Sequence, residues 1–116
     1  MKSYTDLEQS RKLAKILPLE SADMRYHTIS QYNPYPCDEI VYTIDFNKPS
    51  GIDIPCWSLA ALLEVLPKIV KHETLFIETS ASLWHIGYRN IYIAREDNLL
   101  DTCVELIIKL KEQNLI

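Results

Sequence analysis

The side chains best suited to chemistry in this chain are three histidines, His27, His72 and His85, and three cysteines, Cys37, Cys56 and Cys103. Imidazole and thiolate are the usual ligands of a structural zinc ion, which takes four of them, commonly in closely spaced pairs. These six residues lack that spacing, and no H-E-x-x-H motif occurs. His72 and Glu73 are adjacent, so they do not share one helical face. The pattern points to loop and strand histidines and ordinary reduced thiols, and no metal is assigned.

A cysteine nucleophile needs its thiolate. Cys56 stands just ahead of an apolar helical stretch, and a helix N-terminus lowers a thiol pKa. Cys37 lies in loop-like sequence beside Pro36, and neither thiol has a visible base. Ser58 is not in a G-x-S-x-G elbow, while Ser80 and Ser82 belong to a small-residue turn. Paired carboxylates could serve glycoside hydrolysis or magnesium binding. However, Asp38 and Glu39 point apart when extended, and Asp97 suits a helix start better than a pairing with Asp101. Asp45, Asp53 and Glu78 are scattered. No catalytic residue and no cofactor follow from these patterns.

The aromatic residues offer more. Tyr32 and Tyr35 flank Asn33-Pro34, and Tyr26, Tyr42, Trp84, Tyr88 and Tyr92 fall in expected strands. Tyrosine and tryptophan join apolar area to a hydrogen-bonding tip, which suits them to interfaces. Tyr32, Tyr35, Trp84 and Tyr88 are therefore the candidate binding residues, provided they share an outward sheet face. The alternative is that these rings close a small sheet from inside. Stacking on single-stranded nucleic acid would use the same groups, but a net charge of -4 and the lack of interleaved Lys and Arg weigh against it.

The elements that must position these side chains are organised around Trp57 to Leu66. Leu59, Leu62, Leu63 and Leu66 recur at i, i+3, i+4 and i+7, one side of a helix, and Ala60, Ala61 and Val65 leave little polar circumference. Asp53 or Ser58 could cap it, and Pro67 ends it. Before it, Thr5 with Glu8 fits a capping box for a first helix that stops at or near Leu17, ahead of Pro18. Met24 to Ser30 reads as a strand, Gln31 to Asp38 as a proline-rich loop, and Glu39 to Phe46 as a second strand of a long-looped hairpin. Asn47 to Cys56 reads as another loop.

Further on, Thr74 to Thr79, Leu83 to Tyr88 and Ile91 to Ala94 suggest a three-stranded meander. Along the middle strand Trp84, Ile86 and Tyr88 oppose Leu83, His85 and Gly87, and the first set is the heavier. Asn98, paired with Asp101, opens a last helix to about Gln113, apolar over a wide arc. That width suggests burial against the sheet and another helix, or in part a self-association surface. The expectation is an α+β fold of order α-β-β-α-β-β-β-α, with three helices on one mostly antiparallel sheet of about five strands.

A chain of 116 residues is read as a single domain, 1–116, burying about two-thirds of its unfolded surface without disulfides or metal. Three widely spaced cysteines imply no disulfide framework, and two glycines give no phosphate-cradling loop. The first ten residues lack a signal peptide's apolar core, and no apolar run approaches membrane-spanning length. A soluble cytoplasmic protein with no membrane partner is expected.

The segments YTDLEQSRKLAKILPLESADM, PCWSLAALLEVLP and AREDNLLDTCVELIIKLKEQNLI together resemble a family of small uncharacterised proteins from gut Bacteroidales genomes, prophages and other mobile elements. The similarity covers both ends and the middle of the chain, the expected helices, and the family's variable part is the strand region, in which Gln31 to Pro55 and Glu73 to Arg95 fall. It carries no catalytic motif or cofactor. What it implies is an accessory protein that binds another protein. A non-enzymatic binding protein, with another protein or a second copy as partner, is therefore the leading expectation. The alternatives are a small enzyme using His with Cys or carboxylates, and a nucleic-acid-binding protein.

Overall fold

A computed structural model describes residues 2–30, 33–41, 54–95 and 98–116, with the backbone alone described at 27–30, 33–41 and 95. Its helices are α1 (Leu7–Ala14), α2 (Leu59–Val65) and α3 (Leu99–Glu112). The first begins one residue later than the Thr5–Glu8 box predicts. Asp6 is the N-cap, accepting from the Gln9 amide, and Gln9 returns a bond to the Asp6 amide. Ser58 caps α2 by accepting from the Ala61 amide, and the Asp53 alternative lies outside the described residues. Asn98 caps α3 by accepting from the Asp101 amide.

The α+β class, with three helices and antiparallel strands, is the one expected. Among the described residues the strands are shared among two three-stranded sheets and a two-stranded ribbon. In the first sheet, β1 (Met24–Ser30) lies between β2 (Asn33–Val41) and β3 (Ile54–Cys56). The proline-rich stretch expected as a loop is thus a strand. Among the described residues it is an outer strand, where Pro34 and Pro36 cost no interior ladder bond, and the pairing is irregular between Tyr26 and Thr28. Ser30 pairs with Asn33, so the hairpin is not long-looped. The rest of the second expected strand, Tyr42 to Phe46, lies outside the described residues.

After α2 comes a ribbon of β4 (Ile69–Val70) and β5 (Glu73–Thr74), turned at Lys71 and His72, both with positive φ. The expected meander follows as β6 (Phe76–Ser80), β7 (Leu83–Tyr88) and β8 (Ile91–Arg95). Ala81 and Ser82 turn the first of its hairpins, again with positive φ. Gly87 has a φ of 152°, and a Cβ there would stand 2.3 Å from the Ile91 carbonyl oxygen, so only glycine fits.

The centre of the molecule is α3. It packs on β7, β8, α2 and α1, which accounts for its wide apolar arc. Leu100, Cys103, Leu106, Ile107 and Leu110 are fully buried, alongside Leu13, Trp57, Leu62 and Ile86 from the surrounding elements. Beyond α3, Asn114 takes a positive φ, and the Leu115 amide donates to the Leu110 carbonyl, closing the helix C-terminus. Leu115 and Ile116 then fold back on the core. No helix among the described residues is long and apolar enough to cross a membrane.

Candidate functional site

The described thiols are placed where chemistry is least available. Cys56 and Cys103 are both fully buried. Burial pushes the Cys103 thiol up to about 12. At Cys56 burial again raises the pKa, partly offset by hydrogen bonding to the hydroxyls of Thr5 and Ser10. Although Cys56 precedes α2, the helix N-terminus is already capped by Ser58, which Asp23 holds through its backbone and side-chain hydroxyl. A thiol held protonated and shut from solvent is no nucleophile. Of the remaining candidates, His27, Cys37, Asp38 and Glu39 have only backbone described, and Asp45, Asp53 and Asp97 lie outside the described residues. Among the described residues no group of three or more His, Cys, Asp or Glu could hold a metal.

The polar groups near Cys56 instead form a closed knot. Thr5 is buried, its Oγ1 2.7 Å from Ser10 Oγ and accepting from the Trp57 amide at 3.1 Å. Tyr26 donates its phenol to the Thr5 carbonyl at 2.6 Å, and the Trp57 indole donates to Ser21 Oγ at 2.9 Å. Burial, followed by the neighbouring Cys56 and Tyr4, pushes the Tyr26 phenol well above its ordinary range. Every donor here ends on an acceptor within the protein, so the knot fastens the N-terminal segment to the entry of α2.

Of the four aromatic candidates, Trp84 and Tyr88 pack on the core. Tyr32 lies outside the described residues, and Tyr35 falls on β2 where only backbone is described. Tyr88 is 1% exposed, donates to the Pro67 carbonyl, and has its phenol pushed up to about 12 by burial. Trp84 is half-buried and packs on the core from the same face of β7. The heavier set of β7 therefore faces α3, since alternation puts Trp84, Ile86 and Tyr88 together and α3 needs an apolar floor. The opposite face of the meander carries Phe76, Leu83, His85 and Tyr92, of which Tyr92 is 51% exposed. His85 and Tyr92 stand 6.3 Å apart, centroid to centroid.

A different feature emerges beside α2. An open groove of about 750 Å³ runs between that helix, the segment following α1 and the C-terminal end of α3. Ile16, Leu17 and Ala22 form one wall, with Ala60, Ala61 and Val65 opposite and Ile116 at the end. The helix reads this way because its leucines at 59, 62, 63 and 66 turn inward, Ala60 and Glu64 are exposed on the other side, and Ala61 and Val65 lie at the boundary between them. Alanines at two of those positions leave the space that larger side chains would fill. Glu20, Asp23, Glu64 and Lys111 supply the charged lining. No sequence motif marks this site; its signal was that a helix with an inward leucine face stays apolar on its other side. Compared with known family models, curated proteins and solved structures, the chain matches none.

Proposed function

We propose that this chain is a non-enzymatic accessory protein that binds another protein, and that the groove beside α2 is its docking site. The observation that carries the reading is the groove itself: about 750 Å³ of mostly apolar concavity open to solvent. Concave apolar sites with a few polar groups at the margin are the usual form of a binding site, and grooves of this kind accept an apolar helix face. The buried, protonated thiols take away the support for the enzymatic alternative that rested on Cys56. An accessory role is also what the resemblance of the helical segments to small proteins of Bacteroidales genomes and mobile elements implies.

The test is to follow backbone amide shifts while titrating an amphipathic helical peptide with a leucine face. Shifts clustered on Ile16, Ala22, Ala60 and Val65, and lost in Ala60→Trp, support the groove. Shifts confined to Phe76 and Tyr92 refute it and favour a second reading, docking on the outer face of the meander. The half-exposed Tyr92 supports that reading, with self-association as its form. A monomeric mass in solution across a wide concentration range removes it.

A further inference from the structure

The occupant of the groove can be specified further from the charge at its margin, an inference that rests on the docking reading above. Three carboxylates, Glu20, Asp23 and Glu64, face one ammonium, Lys111. Asp23 is engaged in holding the N-cap of α2, accepting from the Ser58 amide at 2.9 Å. Glu20 and Glu64 are exposed, and among the described residues neither forms an ion pair. Elsewhere the surface carboxylates Asp6 and Glu8 have found cationic partners within the chain, Lys2 and Lys12. The acids flanking the groove have not, and they bracket its apolar floor.

We infer that the groove takes a basic amphipathic helix of another protein, one whose leucine-type side chains enter between α2 and Leu17 while flanking Lys or Arg meet Glu20 and Glu64. Unpaired carboxylates at an apolar margin select against acidic partners as much as they attract basic ones. An anionic lipid surface is disfavoured by the same margin and by the net charge of -4. Among the described residues a second copy of this chain offers no suitable segment. Its own basic helix, α1 with Arg11 and Lys12, has its apolar side anchored in the core through Leu13, which is fully buried.

Three fluorescent peptides with one leucine stripe and Lys, Gln or Glu at the flanking positions provide the test, read by anisotropy. The Lys peptide is expected to bind roughly tenfold tighter than the Gln peptide, with the Glu peptide weakest. That order shrinks as salt rises from about 50 to about 500 mM, because exposed charges are screened. The double substitution Glu20→Lys with Glu64→Lys reverses the order, whereas Glu78→Lys, on β6 and outside the groove lining, preserves it. Circular dichroism verifies that each variant is folded. Equal affinity for the three peptides, with all binding lost in Ala60→Trp, overturns the basic-helix inference and leaves the groove standing. A Lys preference unchanged by the double substitution also overturns it. No binding by any peptide overturns both the inference and the docking reading.

Discussion

The knot around Thr5 and the groove beside α2 are close neighbours with opposite construction. Both involve α2 and the segment around Ser21 to Asp23, yet one is polar and closed and the other apolar and open. In the knot, Thr5, Ser10, Tyr26 and the Trp57 amide satisfy one another away from water. Along the groove, Ala60 and the half-buried Ile16 and Val65 meet solvent, and the nearby Glu20 and Glu64 are exposed. Satisfied buried polarity fixes a structure, because breaking one partner leaves another group unpaired in a poor solvent. Open apolar area with free charge beside it adds nothing to folding and is available to a partner. Substitutions in the knot should therefore move stability, and substitutions at the exposed groove position Ala60 should move binding alone.

The largest effect is expected at Trp57, fully buried and joined to Ser21 through its indole N–H. Trp57→Ala should lose about 3–5 kcal/mol of unfolding free energy, through the cavity it leaves. Equilibrium denaturant unfolding measures it, and a loss well under that range would show that this corner repacks. Next comes Thr5→Val, which keeps the shape and removes the hydroxyl. With the Trp57 amide left without its acceptor, about 1–3 kcal/mol should be lost, and Thr5→Ser should recover most of it. If Val is tolerated as well as Ser, the knot is packing and its hydrogen bonds are incidental.

An acid titration gives a smaller effect. Burial alone would raise the Asp101 pKa, but hydrogen bonds from Lys2, Gln9 and Asn98 and the charge of Lys2 outweigh it and hold the carboxyl below 3.8. A carboxyl lowered on folding adds stability above its unfolded pKa, and that stability is lost as pH falls through the folded value. Unfolding midpoints should thus drop as pH falls below about 3.8. Asp101→Asn should flatten that part of the curve; an unchanged acid limb would assign it to other carboxyls. The smallest change in stability, within about 0.5 kcal/mol, is expected for Ala60→Trp, an exposed position whose new ring fills the groove. Here peptide binding disappears while the unfolding midpoint holds. A variant that melts early would mean that the groove is part of the core, and the contrast with the knot would fail.

Sequence patterns disclosed the helices better than their ends. The run Thr5-Asp6-Leu7-Glu8-Gln9 contains two overlapping capping boxes, Thr5 with Glu8 and Asp6 with Gln9. Local preference cannot choose between them. The second is formed because Thr5 is claimed by Trp57 and Ser10, partners distant or on the far side of the box. The meander was similarly legible as alternation, and its heavier set does face α3. The free-surface role for Trp84 and Tyr88 needed the reverse, and contact with a helix residues away in sequence decides which side is inward. At Pro34 and Pro36, a composition that normally breaks strands is accommodated because β2 has β1 on one side only among the described residues.

The groove shows the same division. That α2 is apolar all round could be read from Ala60, Ala61 and Val65 set against the four leucines. That one side is covered and the other left open depends on where α3 and the segment after α1 come to rest. The sequence alone determined the α+β class, the three helices and the meander, because these follow from short-range periodicity and side-chain solubility. Tertiary structure decided which cap forms, which face is inward and where a concavity remains. Those outcomes depend on contacts between residues far apart in the chain, and local patterns carry no information about which of them meet.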